Sequence, residues 1–430
     1  MKPTMTRSNS VNARPLLNSS TGFADRIVAK LASSINRGTL HILFPNGVQR
    51  TVQGLHEATP VADITILNFR ALRRLLTHGD MGFADAYLDG DWTTSDLTSL
   101  LKFGVSNEQQ LDAATSKWSL VKLISRLGHF LNRNSRRQAR KNIAYHYDLG
   151  NDFYGHWLDS SLTYSAGVFA DSEAVSQTCL EETGPNKIGP DQISLQQSQE
   201  NKYARLAESL RLENNHTVLE IGCGWGGFME HIIQHYDVSM TGVSISQAQC
   251  DFASKRMAKL AGGNKGLVAF KDYRNIEGQF DRIVSIEMFE AVGEKYWNTY
   301  AQKLKKLLKN DGVAALQVIT ISEDRFEHYR EQADFIQRYI FPGGMLPTET
   351  VLVSVLNEAG LKVTDCFRFG PHYAETLRRW RLNFDAAWPE IHALGFDDRF
   401  QRMWHYYLAY CEVGFDCGAT DVVQLTVEHA

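Results

Sequence analysis

The stretch Val218-Leu-Glu-Ile-Gly-Cys-Gly-Trp-Gly-Gly-Phe228 decides the fold. A short apolar run suited to a buried strand passes into closely spaced glycines and then into a segment of helical periodicity. Glycine permits the tight bend and lets a ligand approach the backbone, so this is a nucleotide-binding turn. Gly222, Gly224 and Gly227 also satisfy the spacing of the dinucleotide fingerprint, which brings NAD into consideration. That fingerprint needs an acidic residue about 20 positions on, closing the second strand and holding the adenosine ribose. Here the second strand ends at Val243-Ser244-Ile245-Ser246, and the acid is missing. Glu220 inside the first strand, and Asp272-Tyr273 after a later one, suit instead a methyltransferase that grips the methionine and adenine parts of S-adenosylmethionine separately. That cofactor is favoured, with NAD and a purely structural glycine turn as the alternatives.

Outward from the turn, Val238–Val243, Val268–Phe270, Ile283–Ile286 and Val313–Val318 are further short apolar runs separated by helical segments. This alternation marks an α/β fold with a Rossmann-like, doubly wound parallel sheet, which binds ligands beyond the carboxyl ends of its strands. We assign it to residues 142–430, interrupted near 171–194 by a Gly-, Pro-, Ser- and Gln-containing insertion. Before it, His41–Phe44, Pro45-Asn46-Gly47 and Val48–Val52 read as a β-hairpin closed by Asn-Gly, Ile64–Leu67 as a strand, and Asn68–His78 as a helix. These give a smaller α+β domain over 21–110, preceded by a tail at 1–20 whose composition reads as disordered.

Between the two domains, 111–141 reads as an amphipathic linker helix. Lys117, Lys122, Arg126, Arg133, Arg136, Arg137, Arg140 and Lys141 edge an apolar face, with no acid among them. Such a helix suits an anionic membrane surface, or else a solvated linker. The chain has 430 residues, 43% hydrophobic and 22% charged, with a formal net charge of −4, which fits two folded domains without a global pull toward nucleic acid. The basic stretch also lacks a nucleic-acid reading motif, so a nucleic-acid partner is not expected. The 6 cysteines form no CxxC pair, arguing against a zinc site or a disulfide framework and for a reducing cytoplasm. No apolar run approaches 18 residues, so a lipid substrate would be met from the membrane surface.

The register of separated motifs resembles one family. Tyr145–Asp152, Leu162-Thr-Tyr-Ser165, the glycine turn, Val243–Gln247, Phe280–Ser285, Met288-Phe-Glu290, Tyr339–Gly344 and Arg379-Trp380 occur in the order of cyclopropane-fatty-acyl-phospholipid and mycolic acid cyclopropane synthases, from about 142 to 425. The resemblance implies an S-adenosylmethionine pocket built from Tyr164, Ser165, Gly222, Gly224, Ser244, Gln249, Asp272 and Tyr273. It also implies an unsaturated phospholipid substrate, peripheral contact with the inner face of the membrane and a homodimer. Phe83–Trp92 resembles an amino-terminal segment of longer members.

An isolated alkene is a weak nucleophile, so it must be held in line with the sulfonium methyl in a dry channel. Methyl transfer leaves a cation, which aromatic faces stabilise. Tyr145, Tyr147, Tyr164, Phe289, Tyr339 and Tyr373 are the candidate rings. A base must then remove a proton. In the family that role is assigned to a bicarbonate held by Cys, Glu, His and Tyr side chains and a backbone group. Carried over, the glutamate is Glu290, the tyrosine Tyr373 and the backbone contact Ile319, but Ala166 stands for the cysteine and Gln317 for the histidine. If Glu290 holds bicarbonate or itself acts as base, the expected product is a cyclopropane. A misplaced base would favour a methyl-branched or methylene lipid. Readings from other classes are a non-enzymatic lipid-binding homologue and a small-molecule N- or O-methyltransferase.

Overall fold

The computed structural model describes residues 35–108, 149–169, 193–260 and 265–430, with the isolated positions 28, 33, 110 and 111. The tail 1–20, the basic stretch 117–141, Tyr145, Tyr147 and nearly all of 171–194 lie outside the described residues. Contacts divide the chain into two units. One holds the described residues up to Phe69 and from Trp92 to Leu111; the other holds Arg70–Asp91 and the described residues from 149 onward.

In the smaller unit, β1 (Arg37–Leu43), β2 (Gln49–Gln53), β3 (Glu57–Ile66) and β4 (Trp92–Thr93) form a sheet in the order β2-β1-β3-β4. Asn46-Gly47 closes the β1–β2 hairpin, with Gly47 at φ +79° where a left-handed residue is needed. Alternation buries Leu40, Ile42, Ile64 and Ile66 on one face, beneath a helix over Leu97–Ser106 that contributes Leu100 and Phe103. Asn107, at that helix's end, accepts the Asn36 and Arg37 N–H groups at 2.9 and 3.0 Å.

The larger unit is built on β5 (Thr217–Ile221), β6 (Ser239–Ser244), β7 (Gly266–Phe270), β8 (Phe280–Ile286), β9 (Leu308–Ile321), β10 (Leu361–Arg368) and β11 (Thr420–His429). Their order is β10-β11-β9-β8-β5-β6-β7, parallel from β9 through β7, with β11 antiparallel to both β9 and β10. The apolar runs expected as strands lie within or overlap β5, β6, β7, β8 and β9. Two cores cover the sheet. One contains Leu219, Ile221, Ile283 and Leu316, the other Val218, Met240, Val284 and Ala315, as alternation along parallel strands requires.

The helix expected over Asn68–His78 spans Arg70–Leu88, interrupted at Gly79 (φ +57°, ψ −138°). Asp85 in its second half and Asp89 just after its end, both within the Phe83–Trp92 motif, pair with residues of the same unit. Asp85 accepts the Tyr339 hydroxyl, and Asp89 accepts from Arg74 at 2.7 Å and Arg399 at 3.1 Å.

Candidate active site

Parallel strands deliver their carboxyl ends to one edge, so the residues that follow β5, β6, β7 and β8 emerge together. Strand order reverses between β5 and β8, and an open α/β sheet binds its ligand at such a crevice. Gly222 (φ +88°) and Gly224 (φ +51°) leave β5, and the N–H groups of Gly222 and Cys223 both donate to Val243 O at 3.0 Å. A Cβ on Gly224 would meet nothing within 4 Å, whereas one on Gly222 would lie 3.0 Å from Met288 Cγ. The turn is thus open over Gly224 and closed against the segment after β8. Glu220 is buried beside it, with Oε2 lacking a hydrogen-bond partner among the described residues, and burial pushes its pKa up to about 8.

Ser244 and Gln249 meet after β6, where the Ser244 hydroxyl donates to Gln249 Oε1 at 2.8 Å. After β7, Asp272 caps the short turn Tyr273–Asn275 and pairs with Arg274, whose Nε and Nη2 donate at 2.9 and 2.6 Å. Tyr273 is buried, its ring 5.4 Å from that of Tyr300. The Ser165 hydroxyl accepts from Lys202 Nζ at 2.6 Å, and Lys202 is 0% exposed.

The remaining expected residues converge, but not on Glu290 alone. Glu287, at the end of β8, carries a carboxylate that sequence reasoning missed. Its Oε2 accepts the Tyr373 hydroxyl at 2.6 Å, and its Oε1 accepts the Ala166 N–H at 2.9 Å and Gln317 Nε2 at 2.8 Å. Gln424, the cross-strand partner of Gln317, donates Nε2 to Gln317 Oε1 at 3.0 Å, leaving the Gln317 amide nitrogen turned to Glu287. Glu290 accepts the Ile319 N–H on Oε1, while its Oε2 is buried without a partner among the described residues. Tyr373 and Gln317, carried over as bicarbonate contacts, are therefore spent on Glu287 together with the Ala166 N–H, and a bicarbonate does not fit among them. The available signal was an acid pair at i and i+3 following a strand.

These environments separate the two carboxyls. Burial raises the pKa of Glu287, while Tyr373, Ala166, Lys202 and Gln317 all pull it down. The net direction is upward, and the donors on both oxygens favour the ionised form against it. Glu290 is pushed up to about 8 by burial and by the charge of Glu287, and its unpartnered oxygen is where a proton resides. Burial also holds the Tyr373 pKa well above its ordinary value, keeping it a donor.

An aromatic wall adjoins this pair. The Tyr164 ring lies 5.5 Å from Tyr154, 5.5 Å from Trp157 and 5.3 Å from Trp380, and Trp380 lies 6.2 Å from Tyr373. The Tyr164 and Tyr407 hydroxyls are 2.7 Å apart. Phe289 does not join it. Neighbouring helical positions point about 100° apart, and the Phe289 ring stacks on Trp297 at 5.5 Å within the core. Tyr339 is tied to Asp85.

A pH effect follows. The folded pKa of Glu290 lies above that of an unfolded carboxyl near 4.5, so its contribution to stability is complete in acid and is lost as pH rises toward about 8. Glu290→Gln, which mimics the neutral acid, will gain on the parent protein by several degrees in Tm between about pH 5 and pH 9. Paired thermal melts across that range test this, and a constant difference would refute it.

The profile of the mycolic acid cyclopropane synthetase family matches residues 134–425. The chain is 34% identical over 416 residues to tuberculostearic acid methyltransferase UfaA1 of Mycobacterium tuberculosis, covering 96% of this chain and 92% of that protein. It is 33% identical over 358 residues to cyclopropane-fatty-acyl-phospholipid synthase of Escherichia coli, covering 82% and 84%. Among solved structures, mycolic acid cyclopropane synthase CmaA1 complexed with SAH and CTAB is similar with a TM-score of 0.59 and 29% identity, over 67% of this chain and 97% of that one.

Proposed function

The chain belongs to the mycolic acid cyclopropane synthetase family, and from that premise we propose that it is an S-adenosylmethionine-dependent enzyme transferring a one-carbon unit to the cis double bond of an unsaturated fatty acyl chain of a phospholipid. The observation that carries this reading is the placement of an open glycine turn, a buried carboxyl pair and an aromatic wall around one crevice of the sheet.

S-adenosylmethionine, when bound, supplies an electrophilic methyl group. The open side of Gly224 admits it to the backbone, and Glu220 offers an unsatisfied carboxyl oxygen beside the turn for an ammonium group. Ser244 and Gln249 are assigned to the ribose, Asp272 and Tyr273 to the adenine, and Tyr164 and Ser165 to the methionine side. Tyr164, Trp380 and Tyr373 turn ring faces and edges toward an apolar chain, exclude water and stabilise positive charge on it by about 0.5–2 kcal/mol per face. A proton must finally leave the added carbon. Immediate removal closes a cyclopropane, the product we place first. Removal after a hydride shift leaves a methylene branch, or, if the proton leaves a neighbouring chain carbon instead, a methyl-branched alkene, and this second reading is favoured by the anion donors being taken by Glu287 and by a relative named for methylation rather than ring formation.

No described helix is long and apolar enough to cross a membrane. We place the enzyme at the cytoplasmic membrane surface as a peripheral protein, through the basic stretch 117–141, and as a homodimer. Purified protein incubated with S-adenosylmethionine and unsaturated phospholipid vesicles will yield fatty acids heavier by one CH2. High-field cyclopropane protons distinguish a ring from a methylene branch. No mass gain with any of several phospholipids would overturn the lipid-alkene reading.

A further inference from the structure

We infer that Glu287 is a proton acceptor built into the chain, filling the place that a soluble carbonate-type anion would otherwise occupy, so that the reaction proceeds without one. The inference deepens the proposed one-carbon transfer and rests on it for the identity of the proton donor.

An ionised carboxylate has about four lone-pair sites. Ala166 N–H and Gln317 Nε2 address Oε1, and the Tyr373 hydroxyl addresses Oε2, leaving capacity on Oε2 for an incoming proton. These three donors come from separate parts of the chain, and the Gln424 contact turns Gln317 so that it donates rather than accepts. The arrangement therefore suits a negative charge at this point.

Backbone conformation makes the residue choice informative. Glu287 sits at φ +50°, in the left-handed region where glycine is at ease and a glutamate is strained. Local folding would favour glycine, so the carboxylate is retained against the backbone preference. Finally, a second anion would have to enter beside Glu287, whose donors are already engaged, with Lys202 as the nearby buried cation, and like charges in an enclosed site oppose one another. Ala166 presents only its N–H and a methyl group, which leaves room for the longer Glu287 side chain.

As the sulfur–methyl bond breaks and the alkene pair bonds to that carbon, Glu287 takes one proton from the added carbon. The C–H electron pair closes the ring, or forms a double bond if a hydride has shifted first. Glu287 then returns the proton to water, and no oxidant or reductant is consumed.

The test uses wild type, Glu287→Gln and Glu287→Gly. Wild-type turnover will be the same in CO2-free buffer and in added bicarbonate. Glu287→Gln will lose about 10²–10⁴-fold in turnover with KM little changed, the usual contribution of a positioned base. Glu287→Gly, relieved of the left-handed strain but leaving Lys202 and three buried donors without the carboxylate, will have a lower Tm in the absence of anion, lose turnover similarly, and recover at least tenfold in turnover with bicarbonate or formate. Titration of ¹³C-bicarbonate into SAH-loaded protein, read by NMR, will show binding to Glu287→Gly and none to wild type, whatever the lipid assay gives. Bicarbonate binding to wild type, a bicarbonate requirement for wild-type turnover, or full activity of Glu287→Gln would each overturn the inference. Absence of lipid product from wild type, with the bicarbonate titration as expected, would instead sink the one-carbon transfer reading while leaving Glu287 as the occupant of the anion site.

Discussion

Lys202→Met will destabilise the protein by about 3–5 kcal/mol, the range seen when one member of a buried charged group is removed. Lys202 is 0% exposed, donates to the Ser165 hydroxyl at 2.6 Å, and lies with its ammonium 4.6 Å from the Tyr203 ring centroid. Burial pulls its pKa down, and the carboxyls of Glu287, Asp159 and Glu220 pull it back up. Methionine fills a similar volume, so the change removes charge rather than opening a cavity. The stranded negative charge must then be neutralised by proton uptake or by unfolding. Urea denaturation at neutral pH, followed by tryptophan fluorescence, measures the loss. An unchanged midpoint would mean that Lys202 is already neutral in the folded protein and that the surrounding carboxyls carry protons.

Gly222→Val is expected to weaken S-adenosylmethionine binding by at least about 100-fold, equivalent to roughly 2.8 kcal/mol at 1.4 kcal/mol per decade. A β-branched residue at φ +88° is strained by about 1–3 kcal/mol, and its Cβ would press on Met288 Cγ from 3.0 Å. Met288 lies between Glu287 and the helical turn that carries Glu290, so the same push displaces both carboxyls. Calorimetric titration reads the cofactor affinity and the lipid assay reads turnover. Retention of wild-type affinity would show that the glycine turn does not hold the cofactor. A loss confined to turnover would place its role in positioning the carboxyl pair.

Both predictions depend on long-range contacts, and this separates what could be read from the chain from what could not. The strand, glycine turn and helix at Val218–Phe228 are a local pattern, because the turn needs positive φ and only glycine supplies it cheaply. The Asn46-Gly47 hairpin was legible for the same reason. Ser244, Asp272 and Glu290 were placed at the same sheet edge because parallel strands share their direction.

Which side chain stands at the centre was not legible. Glu287 gathers donors from positions 166, 317 and 373, and no periodicity links residues so distant. Phe289, read as a ring for the site, turned to the core because its helical neighbours took the crevice. The antiparallel β10 and β11, the break at Gly79, and the membership of Arg70–Asp91 in the larger unit likewise depend on what each segment packs against. The sequence alone determined the α/β class, the glycine turn and the edge of the sheet where chemistry takes place, since these follow from local conformational preference and strand direction. Tertiary structure alone decided that Glu287, rather than an exchangeable anion, receives the donors of the site, because hydrogen-bond satisfaction in a buried crevice is set by which distant strands and helices meet there.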